Sequence, residues 1–328
     1  MEKPIPLILH VGYPRTATTL LQTALQKHNP GIKFWGRLVE GRDADRWRPK
    51  ELFSIWEWVR LGKGGVDVDK ARVLVGSLLE QAREEGMVSA VISDETMSKP
   101  HRVDWHAEMV ARLRSVFPDA EILLTLRNQI DALSSMYGLY ISRSLGSDLP
   151  ALTFSQWFFQ GAGSSYVPIA DRFDYAAMYR PLLEAFGKEK IHVLLFEEFK
   201  RDYNSYLTGL AKALHCLSFT MQNDMIVNSS PDLRNDPRFK RKLCSGTLAK
   251  MYDNRLLKPI HDILDKLCLS DNRIEWSQYA QDDESKRVIA HMFFESNDKF
   301  GRMSGIDLAA AGYPTLTSLR DKYIYYRQ

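Results

Sequence analysis

The sequence predicts an α/β fold: three layers, with a parallel sheet between flanking helices, followed by a helical C-terminal portion. Short apolar runs alternate with amphipathic segments of helical period, the pattern of strands joined by crossover helices. One run, LILHV, passes through a turn rich in hydroxyl groups directly into a helix. The chain has 328 residues, 45% of them hydrophobic and 26% charged, which suits a protein with a large core. Lys and Arg number 44 against 41 Asp and Glu, a net charge of +3. That balance excludes a polybasic coat for nucleic acid and an acidic tail, and leaves room for a local anion site.

The elements follow in chain order. Leu7–Val11 is a buried strand and Thr18–His28 a helix with Leu20, Leu21, Ala24 and Leu25 on one face. Residues 36–50, rich in Arg, Asp, Gly and Pro, read as a loop. Glu51–Leu61 is a short helix carrying Trp56 and Trp58, which cannot share one face. Asp69–Glu85 is amphipathic and stops at Gly86. Val88–Ser93 is the second strand, Trp105–Phe117 a helix, Glu121–Leu126 the third strand and Ile130–Ser142 the helix after it. Residues 143–170 have no clear period and read as a flap. Arg172–Phe186 is a helix, Ile191–Phe196 the fourth strand, and Tyr203–His215 another helix. From about 220 the chain is mainly helical and charged. No linker demands a second domain, so 1–328 reads as one, with insertions at about 36–62 and 143–170.

Cys216, Cys244 and Cys268 are odd in number and widely spaced, against a disulfide framework or zinc knuckle and for a reducing, cytoplasmic setting. The apolar run near the start is short, holds Pro6 and His10, and lacks a cleavage site, so it reads as a strand rather than a leader. No segment approaches the length of a membrane span.

Two constellations carry chemistry. In GYPRTATT, at 12–19, the turn from strand to helix combines free helix N–H groups, the hydroxyls of Thr16, Thr18 and Thr19, and the charge of Arg15. The spacing fits a phosphate loop of the G-x-x-x-x-G-K-[ST] form. Ala17 replaces its second glycine, Thr18 replaces its lysine, and the cation has moved to Arg15. In LRNQIDALSSMY, at 126–137, Arg127 ends the third strand and Ser135 follows two helical turns later. At that edge of an open α/β sheet, a forked guanidinium and a hydroxyl can share one phosphate.

Together these segments resemble the sulfotransferase family that uses 3′-phosphoadenosine 5′-phosphosulfate (PAPS). Its loop G-x-P-[KR]-[ST]-G-[ST]-T is similar to 12–19, and its L-R-N-P-x-D-R-x-x-S-x-Y is similar to 126–137. YRPLLEAFGKEKIHVLLFEE at 179–198 and FFESNDKFGRMSGIDLAAAGYP at 293–314 resemble later family segments. The resemblance implies a fold like that of phosphate-loop nucleotide-binding proteins, with PAPS as co-substrate and no metal. It implies that Arg15, Thr16, Ala17, Thr18 and Thr19 bind the 5′-phosphosulfate, that Arg127 and Ser135 bind the 3′-phosphate, and that Arg15 stabilises the leaving oxygen. The basic run RNDPRFKRK at 234–242 would add a lid, with Arg238 and Arg241 favoured.

The chain departs from the pattern at Arg15 (usually Lys), Ala17 (usually Gly) and Gln129 (usually Pro). Arginine keeps the charge but cannot deliver a proton. Ala17 is expected to be tolerated only if its φ stays negative. DETMS at 94–98 resembles the family branch whose base is a glutamate, pointing to Glu95, with Asp94 the rival and His101 and His106 behind it. His10, inside the first strand, reads as a core histidine.

The implied reaction moves a sulfuryl group to a hydroxyl of a carbohydrate, lipid, small metabolite or tyrosine. Nucleic acid is not an expected partner. Two other readings stay open: a phosphate-loop kinase using ATP, against which the missing loop lysine counts, and a catalytically silent nucleotide-binding scaffold.

Overall fold

The structure, a computed structural model, describes residues 4–37, 47–98, 105–144, 152–160, 170–221 and 281–322. His101, Arg238, Arg241, Cys244, Cys268 and most of the expected flap lie outside the described residues.

The sheet comprises β1 (Leu7–Gly12), β2 (Ile32–Arg37), β3 (Trp47–Arg48), β4 (Ser89–Ser93), β5 (Glu121–Leu126) and β6 (Ile191–Leu195), in the order β3-β2-β4-β1-β5-β6. All neighbours are parallel except β3, which lies antiparallel on β2. β1 is buried at every position between β4 and β5, as its almost wholly apolar run requires. The chain leaves β1 toward β2 and β4 on one side and reaches β5 only afterwards on the other. Strand order therefore reverses about β1, and the crevice between the C-terminal ends of β1 and β5 is where such sheets bind ligands.

Helices cover both faces. In chain order the described ones are α1 (Thr18–Lys27), α2 (Glu51–Leu61), α3 (Val68–Glu84), α4 (Trp105–Val116), α5 (Gln129–Ser144), α6 (Phe154–Gln160), α7 (Tyr175–Phe186), α8 (Phe196–Arg201), α9 (Tyr203–Ala213), α10 (Asp283–Ser304) and α11 (Leu316–Lys322). Alternate residues along the strands feed two cores. Leu7, Leu9 and Val11 join Ile92, Leu124 and side chains of α2, α4, α5, α7 and α10. Ile8, Val91, Leu123 and Leu194 join α1 and α9 on the opposite face.

The expected strands and helices form with end shifts of a few residues. The stretch 36–50 is corrected at both ends, where β2 and β3 add to the sheet. Lys33, Gly36 and Arg37 break the apolar run of β2, and β3 is two residues long, so neither has a strong pattern. The expected helix Arg172–Phe186 begins later. Asp174 caps α7 by accepting from Ala177 N at 2.9 Å, and a 3₁₀ turn over Ala170–Phe173 precedes it. Asn128 does the same for α5, accepting from Ile130 N at 2.9 Å. Trp56 is fully buried and Trp58 packs beside the same core.

Candidate active site

The turn between β1 and α1 sits at the C-terminal edge of the sheet. Arg15 and Ala17 both have positive φ, 69° and 61°, on either side of Thr16. This alternation of handedness turns successive backbone N–H groups into one concavity. The negative φ on which the tolerance of Ala17 was expected to depend is not kept: Ala17 sits in the left-handed region (ψ 25°) as the N-cap of α1. The methyl remains, and the backbone accepts the strain. No side chain caps α1, and its first turn holds no acidic residue, so the positive end of the helix has no built-in counter-charge.

Gly12 precedes the turn because nothing larger fits. A Cβ there would lie 2.8 Å from His10 Nε2 and 2.9 Å from Thr125 Oγ1. Those two groups belong to a buried relay beneath the loop whose direction follows from donor counting. The Thr16 hydroxyl gives its single proton to Tyr13 O at 2.7 Å, so it accepts from Thr125 Oγ1 at 2.9 Å. Thr125 in turn accepts from His10 Nε2 at 3.0 Å. His10 Nδ1 then accepts from Ser93 Oγ at 2.7 Å, and Ser93 accepts from Gln22 Nε2 at 3.2 Å. The relay requires a neutral His10 protonated on Nε2. Burial favours the same state, pushing the His10 pKa down to about 3. His10 is a core histidine, as its place in the strand suggests, and it also fixes the floor of the loop. The Thr16 hydroxyl is committed inward, whereas Thr19 is exposed.

The second motif closes on the first. Arg15 Nε donates to Ser135 Oγ at 2.8 Å, and Arg127 Nη1 donates to Arg15 O at 2.9 Å. Segments more than a hundred residues apart in sequence thus share one polar cluster. Arg127 also lies over the Phe196 ring, 4.7 Å from its centroid, and its backbone carbonyl accepts from the Tyr175 hydroxyl. Its Nε is buried and has no hydrogen-bond partner among the described residues. Burial, then the neighbouring Arg127 and Arg143, lower the Arg15 pKa, with Glu95 opposing. Burial likewise lowers that of Arg127 against the pull of Asp131 and Glu197. Crowded arginines, an orphan guanidinium N–H and an uncapped helix terminus are features that a polyanion would relieve together.

Asp94 and Glu95 follow β4 at the same edge. Asp94 is buried and accepts three hydrogen bonds: Trp56 Nε1 at 2.7 Å, Thr96 N at 2.8 Å and Thr96 Oγ1 at 2.7 Å. It ties α2 to the sheet edge, and both of its oxygens are engaged. Trp56 is therefore a core residue and a brace. Glu95 is half-buried at the start of the 3₁₀ turn Glu95–Ser98, within electrostatic reach of Arg15. Ser98 anchors that turn to the loop, donating to Gly12 O at 3.1 Å. His106 is buried on α4, its pKa pushed down to about 4 mainly by desolvation.

Sequence reasoning missed the supports around Arg127. Asn128 N donates to Glu197 Oε1 at 2.9 Å, and Tyr313 OH donates to Glu197 Oε2 at 2.7 Å. Glu197, the first of the acidic pair after β6, thus fastens the strand end to the C-terminal segment. Gln129, where proline is usual, is fully buried and forms a reciprocal amide pair with Asn297 of α10, at 2.7 and 3.1 Å.

A phosphate-type loop, an anion-ready helix terminus and two converging arginines at a strand-order reversal define a nucleotide-phosphate-binding α/β protein. The chain belongs to the sulfotransferase family, whose model matches residues 6–217. The crystal structure of a sulfotransferase from Alicyclobacillus acidocaldarius is similar, with a TM-score of 0.52 and 16% identity over 95% of this chain and 100% of that one. At that identity it shows a shared fold. A mouse sulfotransferase complexed with PAP aligns with a TM-score of 0.41 and 13% identity over 92% of this chain and 89% of the other. No curated protein matches. No helix among the described residues is long and apolar enough to cross a membrane.

Proposed function

We propose that this sulfotransferase moves a sulfuryl group from PAPS to a hydroxyl acceptor by in-line displacement. The observation that carries the reading is the link between the two motifs through Arg15, Arg127 and Ser135. In this reading the loop N–H groups of residues 16–19 and the Thr18 hydroxyl hold the 5′-phosphosulfate. Arg127 and Ser135 hold the 3′-phosphate, with the orphan Nε of Arg127 as a donor awaiting an acceptor. As the S–O bond to the nucleotide lengthens, negative charge grows on the departing oxygen. Arg15 and the end of α1 stabilise it electrostatically. Arginine stays charged throughout, so it contributes charge and not a proton. Glu95 takes the acceptor proton. It stands at the right strand end and feels the charge of Arg15, while Asp94 is held by Trp56 and Thr96. The acceptor itself, whether sugar, lipid, small metabolite or tyrosine, stays open in this reading.

Titration calorimetry tests the donor site. 3′,5′-Phosphoadenosine is expected to bind far more tightly than ATP or ADP, because only it carries a 3′-phosphate for Arg127 and Ser135. Equal or reversed affinity would return the kinase reading to the front.

A further inference from the structure

The opposite edge of the sheet carries a second cluster with its own chemistry. Glu121 opens β5, His192 is the second residue of β6, and His215 follows the end of α9. His192 Nε2 lies 2.6 Å from Glu121 Oε2, and His215 Nε2 lies 2.9 Å from the same oxygen. One ligand atom from each residue falls within 4.8 Å of the others. The two imidazole rings stand nearly perpendicular, at 88°, with centroids 6.4 Å apart, so they meet through their edges rather than by stacking.

The fold explains the convergence. His192 is in register with Leu123, two residues beyond Glu121, so Glu121 and His192 project from the same face of the sheet. Leu123 and Leu194 on that face pack against Leu210 and Leu214, which carry the chain end of α9 down to them. Ser89 Oγ fixes that end by donating to Leu214 O at 2.7 Å. His215 then adopts φ 54°, a left-handed conformation that glycine would take without strain. The chain instead presents an imidazole there, aimed at Glu121.

We infer that Glu121, His192 and His215 form a binding site for a divalent transition-metal ion of the zinc type. Two imidazoles and one carboxylate form a donor set that zinc uses with water in the fourth position. The three side chains are 19–42% exposed, which leaves water a route to that position. A tetrahedral ion with bonds of about 2.0–2.1 Å sets its ligand atoms about 3.4 Å apart. To admit it the His192–Glu121 pair would open by about 0.8 Å and the His215–Glu121 pair by about 0.5 Å, movements within rotamer adjustment. The ion would join β5, β6 and the end of α9. It would lie about 13 Å along the strands from the loop at the other edge, at about 3.3 Å per residue from Glu121 to Thr125. It takes no part in sulfuryl transfer.

The test uses the full chain, stripped with chelator and titrated with zinc by calorimetry and with cobalt(II) by absorption spectroscopy. One equivalent of zinc is expected, with cobalt giving the intense visible bands of four-coordination and saturating zinc raising the melting temperature. Glu121→Gln and His215→Gly are each expected to weaken zinc at least about tenfold. Glycine accepts the local φ, so circular dichroism of His215→Gly should match the parent and its metal-free melting temperature should be equal or higher. Absence of saturable one-to-one binding overturns the proposal and leaves a hydrogen-bonded clamp. Binding that is unchanged in both variants overturns it too, by placing the ion elsewhere.

Discussion

Replacing Ala17 by glycine restores the residue usual in the family's loop, and the structure gives the size of the effect. Ala17 holds φ 61° and ψ 25°. For a residue with a Cβ, the left-handed region costs about 1–2 kcal/mol. Glycine removes that cost but loses about 0.5–1 kcal/mol through the greater freedom of the unfolded chain. Ala17 is half-buried with no polar role for its methyl, so little packing is lost. The expected outcome is a net stabilisation of about 0.5–1 kcal/mol, a rise of about 1–2 °C in Tm for a chain of this length. Urea unfolding without nucleotide measures it as a higher midpoint at unchanged slope. Ala17→Val, with a β-branched side chain in the same backbone state, should move the other way by more than about 1 kcal/mol. A destabilised Ala17→Gly would mean instead that the methyl contributes more than the backbone strain costs.

Three further outcomes follow from the same geometry. Arg127→Ala should weaken 3′,5′-phosphoadenosine binding by about 2–4 kcal/mol in calorimetry, the loss expected for a part-buried charged contact; unchanged affinity would remove Arg127 from the site. Glu95→Gln should leave nucleotide affinity intact and lower turnover by about a hundredfold or more; near-normal turnover would pass the base role to another group. His10 is neutral in the fold with a pKa of about 3, while in the unfolded chain it protonates near 6.5. Below pH 6.5 the unfolded state therefore binds the extra proton, and stability falls by about 1.4 kcal/mol per pH unit toward pH 3. His10→Asn lacks that proton site, so the stability gap between parent and variant should shrink by about 2 kcal/mol from pH 8 to pH 5. A gap that does not change with pH would show that His10 carries its charge in the fold.

The strands that face two cores were legible because burial on both faces writes a mostly apolar run, as in LILHV and EILLTL. The two motifs were legible because each joins a strand end to a helix start within a few residues. β2 and β3 were not, because a polar-broken strand and a two-residue strand carry almost no periodic signal. The conformation of Ala17 was misjudged for a different reason: side-chain identity biases φ by only a kcal/mol or two, and the surrounding fold overrides it. The relay through Thr16, Thr125, His10 and Ser93 depends on the mutual register of three strands, which local sequence does not encode. Its one trace is that His10, Ser93 and Thr125 each interrupt an apolar strand. Gln129 looked like a flaw in the family pattern until Asn297, far along the chain, supplied its partner. Only the family resemblance favoured Glu95 over Asp94 in the sequence; Trp56 adds a physical distinction by claiming Asp94.

In the proposed function, the cluster of Arg15, Arg127 and Ser135 at the α1 terminus serves sulfuryl transfer. The most direct test incubates the full chain with PAPS labelled in the sulfuryl group and a panel of hydroxyl acceptors, and follows label into product. Metal-independent transfer to at least one acceptor class is expected, abolished in Arg15→Ala and reduced at least about a hundredfold in Glu95→Gln. Transfer that persists at parental rate in Arg15→Ala would contradict the account, as would phosphoryl transfer from ATP with no transfer of sulfur.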